Sequence, residues 1–492
     1  MKGAETRVVP VDQLQVEADA LFRSGGRMQM AYAIAADDSV PELRYLTAPA
    51  AGEPFMMWQL ASTGNPPPSL ANTWPLISWY EREITDLYGI EFSGNPEPRP
   101  LVLEPPDEPR ASPSGGTHRT LPMHGTPRSL PELASDDVQE LPFGPIRADV
   151  LESAEFTFFY VGEHILYYQP HLFFKHRGME SRFEGAGLER GVVLAERISG
   201  VGSVSHALAY CQAVEAAADS VVPPRAQWLR VLLAELERVY NHLHYLGHLC
   251  NTTTLKVGEA QGKLLEERAK QINARLTGSR FLRSLLIPGG LRRDLFPGDW
   301  LSGELEALRK DTERYASLLE SSESHLDRLI STGKLDRRVA FDQGATGPIE
   351  RASGVDRDLR RDHPYAAYAD VPLTVPVFEE GDAYARARVR VAEIDASIVI
   401  MQRILLLLSE GDIRAACQVV PGTEGLGWSE SPRGTLFYAV HFGPDGRFAR
   451  VKIKSPSFSN WRAFPATVHD TNMMDYAINE ASFGLTISGC AR

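Results

Sequence analysis

Glu196-Arg197-Ile198-Ser199-Gly200-Val201-Gly202-Ser203-Val204-Ser205-His206 is the most informative stretch of this 492-residue chain. It places a serine and a glycine three positions apart, shortly before a histidine. A second stretch of small residues, Gly484–Arg492, ends the sequence and repeats this spacing at Thr486 and Gly489. A serine hydroxyl is a hard, un-ionised ligand and glycine has no side chain, so neither can hold a soft transition metal.

The positions of the cysteines also argue against a site for a soft transition metal. The chain has four, scattered singly with no C-x-x-C pair: Cys211, Cys250, Cys417 and Cys490. A free cysteine is most often a small core residue, so we interpret each as a buried structural thiol.

Composition limits the classes of function. At 492 residues and 43% hydrophobic content the chain can form two or more globular domains. A net charge of -13 argues against a nucleic-acid partner, because phosphate binding needs clustered Lys and Arg. The first residues, Met1–Arg7, lack the apolar stretch of a secretory signal, so no export is expected. The most apolar helical stretch, Ile394–Leu408, contains charged residues and falls short of the roughly 20 apolar residues of a membrane span.

The domain organisation is set by a segment rich in proline and glycine. Residues 104–141 have linker composition, because they offer few apolar groups to offset the cost of ordering. We therefore divide the chain into a small domain over 1–103, a linker over 104–141 and a large domain over 142–492. The fold class predicted is α+β.

The small domain is predicted to be a helix on a small sheet. Amphipathic Val11–Phe22 indicates the helix, and alternating Met28–Ile34 and apolar Phe55–Leu60 indicate strands. A charged helix then ends at Gly89, a residue suited to a helix C-cap.

The large domain is predicted to be mainly a helical bundle. Apolar residues at three- and four-residue spacing predict helices over Trp228–Leu243, Gly262–Asn273, Gly303–Ile330 and Asp382–Leu408. Strand-like alternation is confined to Glu155–Tyr168 and to a hairpin over Gly434–Lys454, whose turn contains Pro444-Asp445-Gly446.

Several segments resemble one protein family. Trp79–Phe92 resembles the W-x-E-R-E-x-x-D-x-x-G-I-x-F signature of the 30 kDa subunit of respiratory complex I. The large domain resembles the family shared by the complex I 49 kDa subunit and the large subunits of energy-converting [NiFe] hydrogenases. The segments that carry this second resemblance are Phe143–Pro145, His176–Glu180, Gly347–Arg360, His363–Tyr365, Gly381–Arg386 and Pro432–Gly434. The chain is most similar to fused subunits of the hydrogenase-4 and formate hydrogenlyase type.

In the hydrogenases of this family two pairs of cysteines hold nickel. The resemblance places Ser199 and Gly202 at the first pair, and counting back from the terminal arginine places Thr486 and Gly489 at the second. It therefore implies no metal site and no directly bound cofactor, and it makes a working hydrogenase the least favoured interpretation.

The complex I branch uses the emptied cavity for a quinone, and this set is also incomplete. The resemblance places Arg147 at the histidine of that site, Ser199 at its acidic partner and Phe174 at its tyrosine. Arginine does not release a proton at working pH, and phenylalanine neither donates nor accepts one. An anionic or carbonyl-bearing ligand would suit Arg147 better than a quinone.

What remains of the site is a set of candidate residues around the cavity. The resemblance implies Arg147, His176, Glu180 and His206 as cavity residues, and His206 with Arg197 as neighbours of a [4Fe-4S] cluster in a partner subunit. His206 is equally well explained as a satisfied core histidine, and Glu180 as a carboxylate paired with Arg177 or Arg182.

Two further groups of residues bear on the site. An internal arginine set is expected to line the cavity and the small-subunit face: Arg197, Arg238, Arg280, Arg351 and Arg360. His242 and His244 are two positions apart on a helix and are expected to face apart rather than to form a metal pair.

Two functions follow as expectations. The first is an electron-transfer subunit of a membrane-bound complex I-like or hydrogenase-4-like oxidoreductase, of the NADH:quinone oxidoreductase family. Its partners would be an iron–sulfur small subunit, antiporter-like membrane subunits and a quinone or another small molecule. It would lie at the inner face of the cytoplasmic membrane. The alternative is a non-catalytic scaffold that retains only the coupling surfaces.

Overall fold

A computed structural model describes residues 1–34, 41–60, 66–103, 135, 137–147 and 152–492. The predicted linker, 104–141, falls mostly on residues outside this set. Its last three residues belong to a strand that begins at Gln139, so ordered structure of the large domain starts before position 142. None of the helices among the described residues is long and apolar enough to cross a membrane.

The small domain is a four-stranded sheet with two helices, as the sequence predicts. Its strands are ordered β1-β4-β3-β2, with β1 parallel to β4 and the other pairs antiparallel. Helix α2 ends at Gly89, whose φ of 65° and amide bond to the Thr85 carbonyl are those of a C-cap. The elements are β1 (Glu5–Val9), α1 (Leu14–Arg23), β2 (Arg27–Ile34), β3 (Glu42–Ala48), β4 (Met56–Leu60) and α2 (Ser78–Tyr88).

The large domain begins with a sheet and continues into long helices. Strands β5, β6 and β7 form antiparallel pairs, and a short later strand, β13, extends the sheet beside β7. The first elements are β5 (Gln139–Phe143), β6 (Glu155–Val161), β7 (His164–His171), α3 (Leu188–Ala195), α4 (Ser203–Ala218), α5 (Pro224–Thr252) and α6 (Lys256–Thr277).

Helices α5 and α6 are packed closely because glycines meet between them. A Cβ on Gly262 would lie 2.6 Å from the Gly247 Cα, so only a residue without a side chain fits at this crossing. The later elements are β8 (Leu286–Ile287), β9 (Gly290–Leu291), α7 (Asp299–Glu320), α8 (Glu323–Leu329), α9 (Arg337–Asp342), α10 (Pro348–Ala352), α11 (Leu359–Asp362) and α12 (Ala383–Leu407). Of the closely packed pair, α6 packs against α7 and α5 packs against α12.

The structure has elements that the sequence-based prediction did not include, and in two places it changes the predicted ones. The single helix expected over Gly303–Ile330 is two helices, α7 and α8, because the chain leaves helical geometry at Ser322. The predicted C-terminal hairpin, β11–β12, is joined by a third strand, β10, whose glycines at 425 and 427 let it lie directly on α4. The last elements are β10 (Glu424–Ser431), β11 (Gly434–Phe442), β12 (Phe448–Lys454), α13 (Pro456–Ala463), β13 (Thr471–Asn472), α14 (Tyr476–Phe483) and α15 (Ile487–Cys490).

The two domains share one hydrophobic core and a buried group of charges. We call this group the junction cluster; its members are Glu83, Glu180, Arg450, Lys452 and Arg492, all 7% exposed or less. Lys452 Nζ lies 2.6 Å from a Glu83 carboxylate oxygen, and an Arg492 nitrogen lies 2.9 Å from the other. Because Glu83 is on α2, these contacts join the small domain to β12 and to the end of the chain.

Candidate functional site

Four positions far apart in sequence meet in one small cavity. Ser199, Gly202, Thr486 and Gly489 all line it, together with Val201, His206, Ser431, Pro432, Arg433, Ser455, Pro456 and Ser457. We call it the four-position cavity. The loop between α3 and α4 contributes the first pair and the start of α15 the second, so the fold brings together the two stretches of small residues.

Hydroxyl groups fill the α15 side of this cavity. Thr486 Oγ1 accepts a hydrogen bond of 3.2 Å from the Gly489 amide and so caps α15. Ser457 Oγ lies 3.2 Å from Thr486 Oγ1 and accepts from the Thr486 amide. Ser455 Oγ accepts from the Phe458 amide, which caps α13, and donates to the Gly489 carbonyl. These groups satisfy each other within the protein.

The residues present do not fit a metal held by four thiolates. The four positions offer two hydroxyls and two hydrogens, and soft metals need sulfur or imidazole ligands. A Cβ on Gly489 would lie 2.6 Å from Thr486 Oγ1, and one on Gly202 would lie 3.3 Å from His206 Cδ2. The space open to the centre of a water molecule is about 10 Å³, roughly enough for a single water. Ser199 Oγ, which has no protein partner among the described residues, is the hydroxyl that such a water would bind.

Two charged side chains hold the halves of the cavity together. The Arg177 guanidinium donates to the Arg197 carbonyl at 3.0 Å, the Ile198 carbonyl at 2.6 Å and the Ser488 carbonyl at 3.0 Å. Glu152 accepts from the Ser488 amide at 3.1 Å and from its neighbour Ile487. From the sequence, Arg177 was expected only as a partner of Glu180. Glu152 was missed, because it follows the opening motif without a recognisable pattern.

His206 is a buried, neutral imidazole. It is 3% exposed, and its Nδ1 lies 2.9 Å from the Tyr438 hydroxyl. Burial, with a smaller contribution from Arg177, lowers the pKa of His206 to about 3, so the ring is uncharged at neutral pH. His206 is therefore a core histidine whose Nδ1 is hydrogen-bonded, and it also lines the cavity.

A carboxylate that the sequence did not single out positions His206. Glu237 on α5 accepts from the Val204 amide at 2.6 Å and the Ser205 amide at 3.0 Å, at the first turn of α4. Burial raises the pKa of Glu237 to about 7 against the lowering effect of these hydrogen bonds. In the sequence it is one of several charged residues of the predicted helix and carries no further signal.

Arg433 is the one cationic side chain that lines the cavity among the described residues. Its Nε donates to the Gly484 carbonyl at 2.6 Å, and a terminal nitrogen donates to Asn241 Oδ1 at 3.0 Å. Burial and neighbouring Arg390 lower the pKa of Arg433 to about 10, which leaves it charged at neutral pH. The Pro432-Arg433-Gly434 motif was recognisable in the sequence, but nothing in it assigned this arginine to the site.

Glu180 lies in the junction cluster and outside the cavity lining. The predicted pairing with Arg177 or Arg182 is wrong, because its carboxylate lies 2.7 Å from Arg450, 2.9 Å from Arg492 and 3.3 Å from Lys452. Burial alone would raise the pKa of Glu180, but these three cations together lower it far below its ordinary value. Glu180 is therefore held ionised.

Three other predicted cavity residues lie elsewhere. Arg147 forms two hydrogen bonds of 3.1 and 3.0 Å with Glu480 and stacks over the Phe156 ring at 4.5 Å. Phe174 is 44% exposed and lies on the side of the His171 ring. His176 is half-buried, and burial lowers its pKa. Of the four cavity residues that the resemblance implies, His206 lines the four-position cavity and Arg147, His176 and Glu180 do not; of the two further quinone-site positions, Ser199 lines it and Phe174 does not.

The predicted arginine set also divides. Arg238, Arg351 and Arg360 are fully buried in a second group of charges, which we call the central cluster and which also contains Glu235, Asp358, Glu393 and Glu430. Arg197 and Arg280 are exposed. His242 faces the central cluster at 2.7 Å from Glu393, whereas His244 is exposed beside Glu266, so the two histidines face apart as expected.

Comparison with known proteins agrees with this architecture. Residues 9–113 match the model of the respiratory-chain NADH dehydrogenase 30 kDa subunit, and residues 264–421 and 416–492 match that of its 49 kDa subunit. Residues 177–276, which include Ser199, Gly202 and His206, match the nickel-dependent hydrogenase model.

Curated relatives extend over most of the chain. Formate hydrogenlyase subunit 5 of Escherichia coli K12 is 31% identical over 406 residues, which cover 80% of this chain and 71% of the relative. The C/D subunit of an NADH-quinone oxidoreductase from Gluconacetobacter diazotrophicus is 32% identical over 457 residues, covering 81% and 74%. The chain belongs to the family of fused 30 kDa/49 kDa-type subunits of complex I-like respiratory complexes.

Within this family the resemblance seen in the sequence is confirmed. Hydrogenase-4 component G of Escherichia coli K12 is 30% identical over 409 residues, covering 80% of this chain and 70% of the relative. A chain in the structure of the membrane-bound sulfane sulfur reductase, an archaeal respiratory membrane complex, superposes with a TM-score of 0.68 at 27% identity and covers 73% of this chain and all of its own length. These relatives are subunits or components of a formate hydrogenlyase, a hydrogenase-4 and an NADH-quinone oxidoreductase, and the structural neighbour belongs to a respiratory membrane complex.

Proposed function

We propose that this chain is a peripheral subunit of a membrane-bound, complex I-like or hydrogenase-4-like oxidoreductase and that it holds neither a nickel–iron centre nor another cofactor. Its partners in this proposal are an iron–sulfur small subunit and antiporter-like membrane subunits, at the inner face of the cytoplasmic membrane. The observation that supports it is the four-position cavity, where the fold of the family is kept but hydroxyls and hydrogens stand in place of thiolates.

The electron-transfer form of the proposal depends on His206 and Arg197. Arg197 is exposed next to the cavity loop, and His206 lies at the cavity wall as a neutral imidazole that can donate one hydrogen bond. A [4Fe-4S] cluster held by the partner would meet both on this face, and donors near its sulfurs raise the potential of a cluster. The archaeal neighbour is a sulfane sulfur reductase, so acceptors other than quinone belong in the assay.

The second candidate is a scaffold subunit without a redox substrate. It is favoured by the size of the four-position cavity, since about 10 Å³ accommodates about one water and no quinone head group. The buried junction cluster supports it as well, because those charges join domains and are saturated by each other. In this form the chain transmits contacts between the iron–sulfur partner and the membrane arm.

The test is a metal and EPR analysis of the chain purified with its neighbouring subunits, alongside turnover with a quinone and with a polysulfide. We expect no stoichiometric nickel and a [4Fe-4S] signal from the partner. A cluster that is reoxidised by an added acceptor, with a signal that shifts in His206→Gln and is unchanged in the exposed control His244→Gln, supports the electron-transfer form. A cluster that no acceptor reoxidises supports the scaffold. Stoichiometric nickel overturns both.

A further inference from the structure

A second and larger cavity lies away from the four-position cavity, between helices α5, α7, α8 and α12. Its volume, again counted as the space open to the centre of a water molecule, is about 220 Å³. Most of its wall is apolar and is formed by Leu246, Ala316, Leu319, Leu326, Leu329, Phe378, Ala387, Val391 and Ala392. A partly enclosed space with apolar walls and few polar groups is the usual form of a small-molecule site.

The polar groups at the mouth of this cavity already have partners. The Tyr384 hydroxyl donates to Glu320 at 2.7 Å. The Arg388 guanidinium lies 3.9 Å over the Phe378 ring and donates to Glu380 at 3.0 Å. These contacts leave the mouth groups with little capacity to select a ligand.

His325 is different, because it is buried and one side of its ring has no partner. The side chain is 2% exposed and lines the cavity, and its Nδ1 lies 2.7 Å from Thr253 Oγ1. Nδ1 is directed at Thr253, which is not part of the lining, so the opposite edge of the ring, which carries Nε2 and Cδ2, is the one left to face the cavity. That nitrogen has no hydrogen bond to any residue within the described part of the chain. Ligand sites are mostly apolar with a few polar groups that fix the orientation of the ligand, so this nitrogen marks a place for a ligand atom.

The tautomer of His325 can be inferred from its partner. Thr253 Oγ1 lies 3.1 Å from the Cys250 carbonyl, an acceptor that can only receive the threonine proton. With that proton used, Oγ1 accepts from Nδ1–H, and Nε2 carries the lone pair. Burial lowers the pKa of His325, in agreement with a neutral ring. The cavity therefore presents a hydrogen-bond acceptor inside an apolar wall.

We propose that this cavity binds a small, neutral, largely apolar molecule with one hydroxyl donor, such as a phenol or an alicyclic alcohol, through His325 Nε2. An apolar body displaces water that has few partners on these walls, which favours binding roughly in proportion to the area buried. The hydroxyl satisfies the unpaired nitrogen, which an apolar molecule of the same shape leaves unpaired. The inference is independent of the function proposed above.

The test compares three probes of similar size on the full-length chain by calorimetry: p-cresol, p-xylene and p-tolualdehyde. p-Cresol supplies a donor, p-xylene supplies neither donor nor acceptor, and p-tolualdehyde supplies only an acceptor. We expect p-cresol to bind about five- to tenfold more tightly than p-xylene, the contribution of one hydrogen bond, and p-tolualdehyde to bind no better than p-xylene.

Three variants show which part of the cavity produces the preference for p-cresol. His325→Phe keeps a ring of similar volume and should remove the preference for p-cresol, whereas Tyr384→Phe, at the mouth of the same cavity, should keep it. Ala392→Leu narrows the cavity and should weaken all three probes together. If His325→Phe does not fold, the ring 15N shifts of His325 in the wild-type chain provide the same test, because p-cresol should move Nε2 upfield from its free-acceptor position. Equal affinity for p-cresol and p-xylene, a preference for p-tolualdehyde, or no binding would each overturn the proposal.

Discussion

The four-position cavity and the junction cluster lie close together at the end of the chain and have opposite electrostatic character. Three residues past Gly489, Arg492 has entered a group of five buried charges. The cavity contains hydroxyls, a neutral imidazole and one arginine; Ser457 and Thr486 are hydrogen-bonded to each other, and His206 is bonded to Tyr438 outside the lining. The family positions for chemistry are therefore neutral and closed, while the contact between the two domains is strongly ionic.

This difference shows where the chain has kept specific interactions. Buried ion pairs hold a geometry because each charge is costly without its partners. Neutral hydroxyls in a small cavity tolerate change more easily, since a replacement loses one hydrogen bond at a time. The buried charges therefore fix the contact between the two domains more strongly than the hydroxyls fix the cavity, and both forms of the proposed function need that contact.

Removing one charge from the junction cluster should have the largest effect on the free energy of unfolding. In Glu180→Gln the cations Arg450, Lys452 and Arg492 lose a shared carboxylate, and we expect the free energy of unfolding to fall by about 3–5 kcal/mol. Urea denaturation measures this loss. Because the pKa of Glu180 is lowered in the folded chain, its stabilisation is complete above the unfolded value of about 4.3 and is lost as the pH falls below it. The variant should lose that part of the acid dependence.

The matched control is Glu189→Gln, an exposed glutamate in the first turn of α3. It should change the free energy of unfolding by no more than about 0.5 kcal/mol. If Glu180→Gln costs as little as this control, the junction cluster does not stabilise the domain contact and the contrast with the cavity is lost.

Much of the fold could be predicted from the sequence, and the reasons are local. Periodicity located α5 and α12, alternation located β2 and β6, and Gly89 marked the end of α2. The break between α7 and α8 was missed because Ser321 and Ser322 are only mild helix breakers. Strand β10 was missed because its glycines lower strand propensity, and its stability comes from contact with α4.

The candidate site was predictable only in its backbone positions. Counting along the chain within the two motifs assigned residues 199 and 202, and residues 486 and 489, to one site. The fold does bring these four positions together. Side-chain partners were not accessible in this way. Glu180 has sequence neighbours of the right charge in Arg177 and Arg182, but β12 and the chain end supply its cations. Such pairings depend on tertiary packing, which spacing along the chain does not encode.

Introducing a cysteine into the cavity should lower the free energy of unfolding by an intermediate amount, which depends on the position of the cysteine. A Cβ at Gly489 meets Thr486 Oγ1 at 2.6 Å and Ser457 Oγ at 3.3 Å, so Gly489→Cys must displace the α15 cap. We expect a loss of about 1–3 kcal/mol in the free energy of unfolding. Ser199→Cys is the matched control, because Ser199 Oγ has no partner to lose in the part of the chain that the structure describes, and it should cost less than about 1 kcal/mol. Equal costs at the two positions would mean that the hydroxyls do not close the cavity.

Removing the neutral hydrogen bond between Tyr438 and His206 at the cavity wall should have the smallest effect on the free energy of unfolding. Tyr438→Phe removes the partner of His206 Nδ1, and we expect a loss of about 1 kcal/mol in the free energy of unfolding, well below that of Glu180→Gln. The ring of His206 should also show no NMR titration between pH 5 and 8, because burial lowers its pKa to about 3. In the urea-unfolded chain the same ring should titrate near its ordinary value of about 6.5. The folded chain is therefore expected to lose stability as the pH falls below that value, where only the unfolded state takes up the proton. A folded-state titration near neutral pH would show that the His206 ring can become charged at the cavity wall, and the contrast between this neutral ring and the ionised junction cluster would no longer hold.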